Sequence, residues 1–151
     1  MRVIRSYSDN EIVDLLRQHG INPTSQRVQI TRELYSNPSH LSAEEVYNIV
    51  NATVRRNGAA DQSVSKATVY NTLGLLADRG VIREVIADPT KIFYDPNITP
   101  HHHFYDEVTK ELSDIDAGDI HVTGLPSLPE GARLQGIDVI VRLRREKRAV
   151  G

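Results

Sequence analysis

From residue 8 to residue 80 the apolar positions recur every three or four residues, the period of a helix packed on one face. Ser8-Asp9-Asn10-Glu11 is a capping box in which serine and glutamate satisfy free amides reciprocally, and Gly20 ends the helix it starts. A second helix begins within Pro23–Arg27, carries the stripe Val28, Thr31, Leu34 and Tyr35, and stops at Asn37-Pro38. A third starts at Ser42, where Ser42-Ala43-Glu44-Glu45 repeats the capping box, and Val46, Ile49 and Val50 form its buried face. Polar residues 57 to 63 form a loop. The fourth helix is predicted from Ser65 to Gly80, with Val69, Leu73 and Leu76 inward and Lys66, Ala67, Tyr70, Asn71 and Gly74 outward. Two short strands follow, Val81–Ile86 and Lys91–Tyr94, around the turn Ala87-Asp88-Pro89-Thr90. Helices followed by such a hairpin predict a winged helix.

Past the proline-flanked segment 96–100 the texture changes to strand-like runs with a proline-rich interruption at 124–129. The expected organisation is therefore α+β: an N-terminal winged-helix domain over residues 1–96 and a small α/β domain over 97–151. Ile137, Val139, Val141 and Leu143 alternate along an expected half-buried strand. So short a domain buries little apolar surface by itself, and pairing with a second copy would complete it. The basic run Arg142–Arg148 reads as a solvated end.

Composition narrows the chemistry. The 151 residues are 39% hydrophobic, enough for a buried core in one domain or two. No eighteen-residue apolar run is present to span a bilayer, and Met1-Arg2-Val3-Ile4-Arg5 is no secretory leader, so a cytoplasmic protein without membrane association is expected. The chain has no cysteine, which excludes disulfides, thiolate metal sites and a cysteine nucleophile, and leaves His, Asp and Glu for any transition metal. A net charge of −2 does not by itself attract phosphate, so a nucleic-acid reading must rest on local pattern. The outer face of the fourth helix supplies one: Tyr70 and Asn71 suit base edges, Lys66 and Thr68 suit phosphates, and Gln26, Arg27 and Lys91 could add backbone contacts.

His101-His102-His103 is the sharpest chemical feature. On an extended strand His101 and His103 face one side and His102 the other, so the first and third can chelate one ion. Asp95, six residues before His101, and Asp114, eleven after His103, offer oxygen ligands for a mixed N/O site.

Four ordered stretches then resemble one family. Thr24-Ser25-Gln26-Arg27 is similar to a T-x-x-R motif, and His40-Leu41-Ser42-Ala43-Glu44-Glu45-Val46-Tyr47 to H-x-S/T-A-E/D-x-x-Y. Lys66-Ala67-Thr68-Val69-Tyr70-Asn71-Thr72-Leu73 resembles an A-T-V-Y-x-x-L recognition helix, and Phe93–His103 a wing end with an H-x-H hinge. These are the marks of the ferric uptake regulator (Fur) family. The resemblance implies a homodimeric, metal-responsive repressor of transcription that binds pseudo-palindromic double-stranded DNA and is not an enzyme. It also implies a regulatory metal site at His40, Asp95, His101, His103 and Asp114, holding Mn²⁺, Fe²⁺ or Zn²⁺, with Co²⁺ equally acceptable to such donors. One ion with ligands from both domains would bias the DNA-binding geometry.

Departures from the family are informative. The structural zinc held by paired cysteines in many members has no ligands here, and an additional site falls on Pro100, His102, His121 and Ile137, leaving His102 and His121 as its remaining donors. The absence of cysteine, the histidine run followed by Phe104-Tyr105 and the ending Asp138-Val139-Ile140-Val141-Arg142-Leu143-Arg144-Arg145 resemble the iron response regulator (Irr) subgroup. That implies control of iron homeostasis, with haem or a haem-synthesis enzyme as a partner and His102 or His103 as a haem contact. The three-His, two-Asp set equally resembles peroxide-sensing members, in which bound iron oxidises a ligand histidine. Two other classes stay open: a metal-dependent hydrolase, which would use the same ligands but lacks a visible general base, and a metal-independent partner-binding winged helix.

Overall fold

The computed structural model describes residues 5–146. The chain divides into two compact units after Ile98, two residues beyond the expected 96/97 boundary.

In the first unit, α1 (Asp9–Gln18), α2 (Ser25–Ser36), α3 (Ala43–Arg56) and α4 (Lys66–Asp78) each start on a hydroxyl cap: Ser8, Thr24, Ser42 and Ser65 accept from the amides of Glu11, Arg27, Glu45 and Thr68. Around Ser8 the box is complete, with the Glu11 carboxylate turned back to the Ser8 amide. α1 and α4 end alike. Gly20 and Gly80 sit at φ +71° and +73°, a conformation glycine adopts without Cβ strain. Ile21 then donates to the Leu16 carbonyl and Val81 to that of Leu76, both at 2.9 Å. This Schellman closure folds an apolar residue back onto each helix, and all four of these side chains lie in the core. The core joins Ile12, Ile30, Leu34, Val46, Val50, Val69, Leu73 and Leu76, each fully buried, with Tyr94 of the sheet. Thr31 is buried because its hydroxyl donates to the Arg27 carbonyl at 2.7 Å. Ile49, expected inward, is half-buried, and Asn51 is buried instead.

β2 (Arg83–Asp88) and β3 (Lys91–Asp95) form the expected antiparallel hairpin, with a bulge between Ile86 and Asp88. A third strand, β1 (Leu41–Ser42), adds to β3 and gives the order β1-β3-β2.

The second unit is a three-stranded sheet in the order β5-β4-β6, from β4 (His102–Asp106), β5 (Leu112–Ile115) and β6 (Ile140–Leu143), with a 3-10 turn at Ala117–Asp119. β4 pairs antiparallel with β5 and parallel with β6. The reversal between β4 and β5 is built on Asp106, whose carboxylate accepts from the amides of Val108 and Thr109. The last strand is shorter than its alternation predicts. Its ladder opens at Ile140, opposite His103, because β4 itself begins at His102, and Ile137 lies outside it. Of the expected basic end, Arg145 pairs with Asp106 at 2.9 Å and Arg142 lies 5.9 Å from the Tyr105 ring centre, while Lys147 and Arg148 fall outside the described residues. Among the described residues no helix is long and apolar enough to cross a membrane.

Candidate metal centre and nucleic-acid interface

Each unit carries a donor cluster at a sheet end. In the first unit the two-residue β1 does the placing. Its register, Leu41 opposite Tyr94 and Ser42 opposite Phe93, sets the preceding His40 against the following Asp95. The His40 Nε2 lies 3.0 Å from Asp95 Oδ2, with both residues buried, and Asp95 Oδ1 accepts from the Asn97 amide at 2.9 Å. A carboxylate held by a backbone amide and facing an imidazole is a pair of ready ligands.

In the second unit the β4–β5 register sets His103 opposite Asp114. His101 and His103, two residues apart on one face, stack edge to face with ring centres 4.5 Å apart. Their Nε2 atoms lie 3.3 and 3.4 Å from the same oxygen, Asp114 Oδ1. The Nδ1 of His101 is 2.7 Å from the Thr99 carbonyl, which can only accept, so this nitrogen carries a proton and donates there, with Nε2 turned toward Asp114. His103 is 1% exposed. Two buried imidazoles with their nitrogens on one oxygen of the exposed Asp114 carboxylate fit a first-row divalent cation. The chemistry they offer is ligation that orders the strands carrying them.

His102 faces the other side of β4, and its Nδ1 accepts from the Val139 amide at 3.1 Å. This bond clasps the approach of β6 to β4. His121 lies in the exposed stretch after Ala117–Asp119.

On α4, Tyr70 is 55% exposed on the side opposite Val69 and Leu73; Asn71 and Lys66 are exposed and Thr68 is half-buried. Burial first, then Glu84 and Tyr70, push the Tyr94 phenol above its ordinary pKa. Gln26 is exposed, and the half-buried Arg27 bonds the Asn22 carbonyl at 3.0 Å. The ammonium of Lys91 is held 2.7 Å from Glu45 and 4.8 Å from the Phe93 ring centre. Nothing in the sequence pairs a wing lysine with a cap glutamate 46 positions earlier. Tertiary folding alone brings them together.

The profile described as Ferric uptake regulator family matches residues 18–141. The peroxide-responsive repressor PerR of Staphylococcus aureus is 31% identical over 104 residues, 69% of this chain and 66% of that protein. The chain thus spans just under two thirds of the curated relative it matches. The ferric uptake regulator of Pseudomonas aeruginosa with manganese superposes with a TM-score of 0.66 at 23% identity, over 93% of this chain and 100% of that one. That of Helicobacter pylori, described as having three functional metal binding sites, gives 0.65 at 17% identity over 97% and 95%. At such identities these two likenesses speak for the fold, a helical N-terminal domain followed by a small α/β domain. With 124 consecutive positions matched, the chain belongs to the ferric uptake regulator family.

Proposed function

We propose that this chain is a metal-responsive transcriptional regulator, not an enzyme, that binds pseudo-palindromic promoter DNA as a homodimer. The observation that carries the reading is the pair of donor clusters, His40 with Asp95, both buried, and the buried His101 and His103 with the exposed Asp114, in a chain without cysteine. The ligand set proposed for one divalent ion, Mn²⁺, Fe²⁺ or Zn²⁺, is these five residues. α4 reads bases through Tyr70 and Asn71, and Lys66, Thr68, Gln26, Arg27 and Lys91 hold phosphates, Lys91 leaving Glu45 to do so. Pairing of two second units is supported by exposed Leu125, Leu128 and Leu134, apolar side chains that one copy leaves in water.

The test is binding of metal-stripped protein to an AT-rich inverted-repeat promoter fragment, titrated with Mn²⁺, for wild type and the double variant His101→Ala, His103→Ala. Metal is expected to raise wild-type affinity about tenfold or more, the scale of an allosteric coupling, and to leave the variant unmoved. Equal metal-free binding by both proteins would remove the regulatory role of the site.

A second reading, peroxide sensing, is favoured by the likeness to the staphylococcal peroxide-responsive repressor. It predicts that Fe²⁺-loaded protein exposed to peroxide gains one oxygen atom on His40, His101 or His103 and loses DNA binding, which peptide mass spectrometry reads directly. Within the family, the cysteine-free histidine run also supports an Irr-like, haem-linked role. There the His102 Nδ1, occupied by the Val139 amide, leaves Nε2 to meet haem iron.

A further inference from the structure

We infer that Asn51 is the residue that sets the position of α4, and with it the bases that Tyr70 and Asn71 can reach; this rests on the DNA-binding role proposed above. The segment between α3 and α4 has to return the chain from Asn57 to Ser65 by way of Gly58 and a 3-10 turn, Ala60–Gln62. Its last residue before the helix cap, Val64, is buried, and so are its backbone groups, which need partners. One side chain supplies both. The Val64 amide donates to Asn51 Oδ1 at 2.8 Å, and Asn51 Nδ2 donates to the Val64 carbonyl at 3.0 Å. A carboxamide that exchanges two hydrogen bonds with one residue does what a neighbouring strand would do, but from inside a helix.

The location explains the choice of residue. Asn51 is 8% exposed on the inner face of α3, between the buried Val50 and Val54, where a polar group is costly unless every bond is made. An aspartate would keep the acceptor and lose the donor; a leucine would lose both. The side chain of Val64 lies in the same apolar core as Val69, the residue four positions into α4. That is the arrangement of a hydrophobic staple, which fixes the angle at which a chain enters a helix. Asn51 therefore acts on α4 through Val64: the paired bonds fix where the backbone lies, the staple fixes its direction, and Ser65 caps the first turn. Asn51 touches no DNA in this scheme. It is a positioning residue.

Folded fraction and helix placement leave different traces. A variant that merely unfolds more often binds every sequence more weakly by one factor, so the ratio of affinities for two sequences is unchanged. A variant whose α4 is misplaced loses discrimination itself. The experiment measures Asn51→Asp, with Asn51→Ser in case the first does not fold, against an AT-rich inverted-repeat fragment and against the same fragment with single base pairs changed in each half-site. Hydrogen exchange of the Val64–Val69 amides is followed alongside. The expected result is a discrimination ratio about tenfold smaller than wild type, within the range of one base contact, with faster exchange confined to those amides. A uniform fall in affinity with the ratio intact would overturn the proposal, as would intact protection of Val64. Wild-type protein without sequence preference would instead sink the DNA-binding reading, and this inference with it.

Discussion

The two units are stabilised in different ways. In the first, four capped helices bury one continuous apolar core, and among its polar interior groups Thr31 and Asn51 are satisfied within it. In the second, the buried apolar side chains among the described residues are Tyr105, Leu112 and Ile115, and they share the interior with His101, His102, His103 and Asp106. The residues of β6 are at best half-buried, and Val122, Leu125, Leu128 and Leu134 are exposed. Among the described residues, the interior of the second unit is more polar than apolar, and several of its apolar side chains lie in water. The difference places most of the enclosed apolar core in the first unit.

The largest effect should come from cutting into the first core. Leu73→Ala, at a fully buried position, is expected to cost about 2–5 kcal/mol in urea unfolding. The matching Leu128→Ala in the second unit should change dilute-protein stability by less than about 0.5 kcal/mol. Equal costs would erase the contrast.

Protein concentration comes next. If the second unit is completed by a second copy, the melting temperature should climb steadily over a hundredfold rise in concentration, about 2.7 kcal/mol of mass action at saturation. A flat response would make the exposed leucines ordinary surface.

A smaller, pH-dependent contribution sits at Asp106. Burial acts to raise its carboxyl, but the amides of Val108 and Thr109 and the Arg145 guanidinium outweigh it and hold the pKa below the ordinary value. A lowered folded pKa stabilises above the unfolded value, near ~3.9, and that contribution drains away as pH falls through the folded one. Asp106→Asn should therefore be less stable than wild type at neutral pH, with the gap narrowing below about pH 4 in urea midpoints. A gap that widens in acid would reverse the assignment.

Least of all should follow from the wing. A double-mutant cycle of Lys91→Ala with Glu45→Ala is expected to give a coupling under about 1 kcal/mol, since both groups are partly solvated. A larger value would mean that the hairpin is locked to α3.

Local signals were legible because they act over one turn. The caps at Ser8, Ser42 and Ser65, the glycine stops at 20 and 80, and the Val69, Leu73, Leu76 stripe stand where the sequence places them. The β2–β3 hairpin was legible too. What escaped was pairing across distance. β1 is two residues long, too short for any alternation, yet its register brings His40 to Asp95. The pairs Asn51 with Val64 and Lys91 with Glu45 carry no periodic trace. β6 came out shorter than its pattern because a ladder extends only where a partner strand runs, and β4 begins at His102.

The sequence by itself therefore determined the helices, their ends, the hairpin, the family and the donor types available to a metal, since each is written in neighbouring residues or in composition. Tertiary structure decided which donors face each other, which carbonyl the His101 ring bonds and how the chain entering α4 is held. Those depend on strand register and on single buried hydrogen bonds between residues far apart in the chain, and backbone pairing energy, not local propensity, selects them.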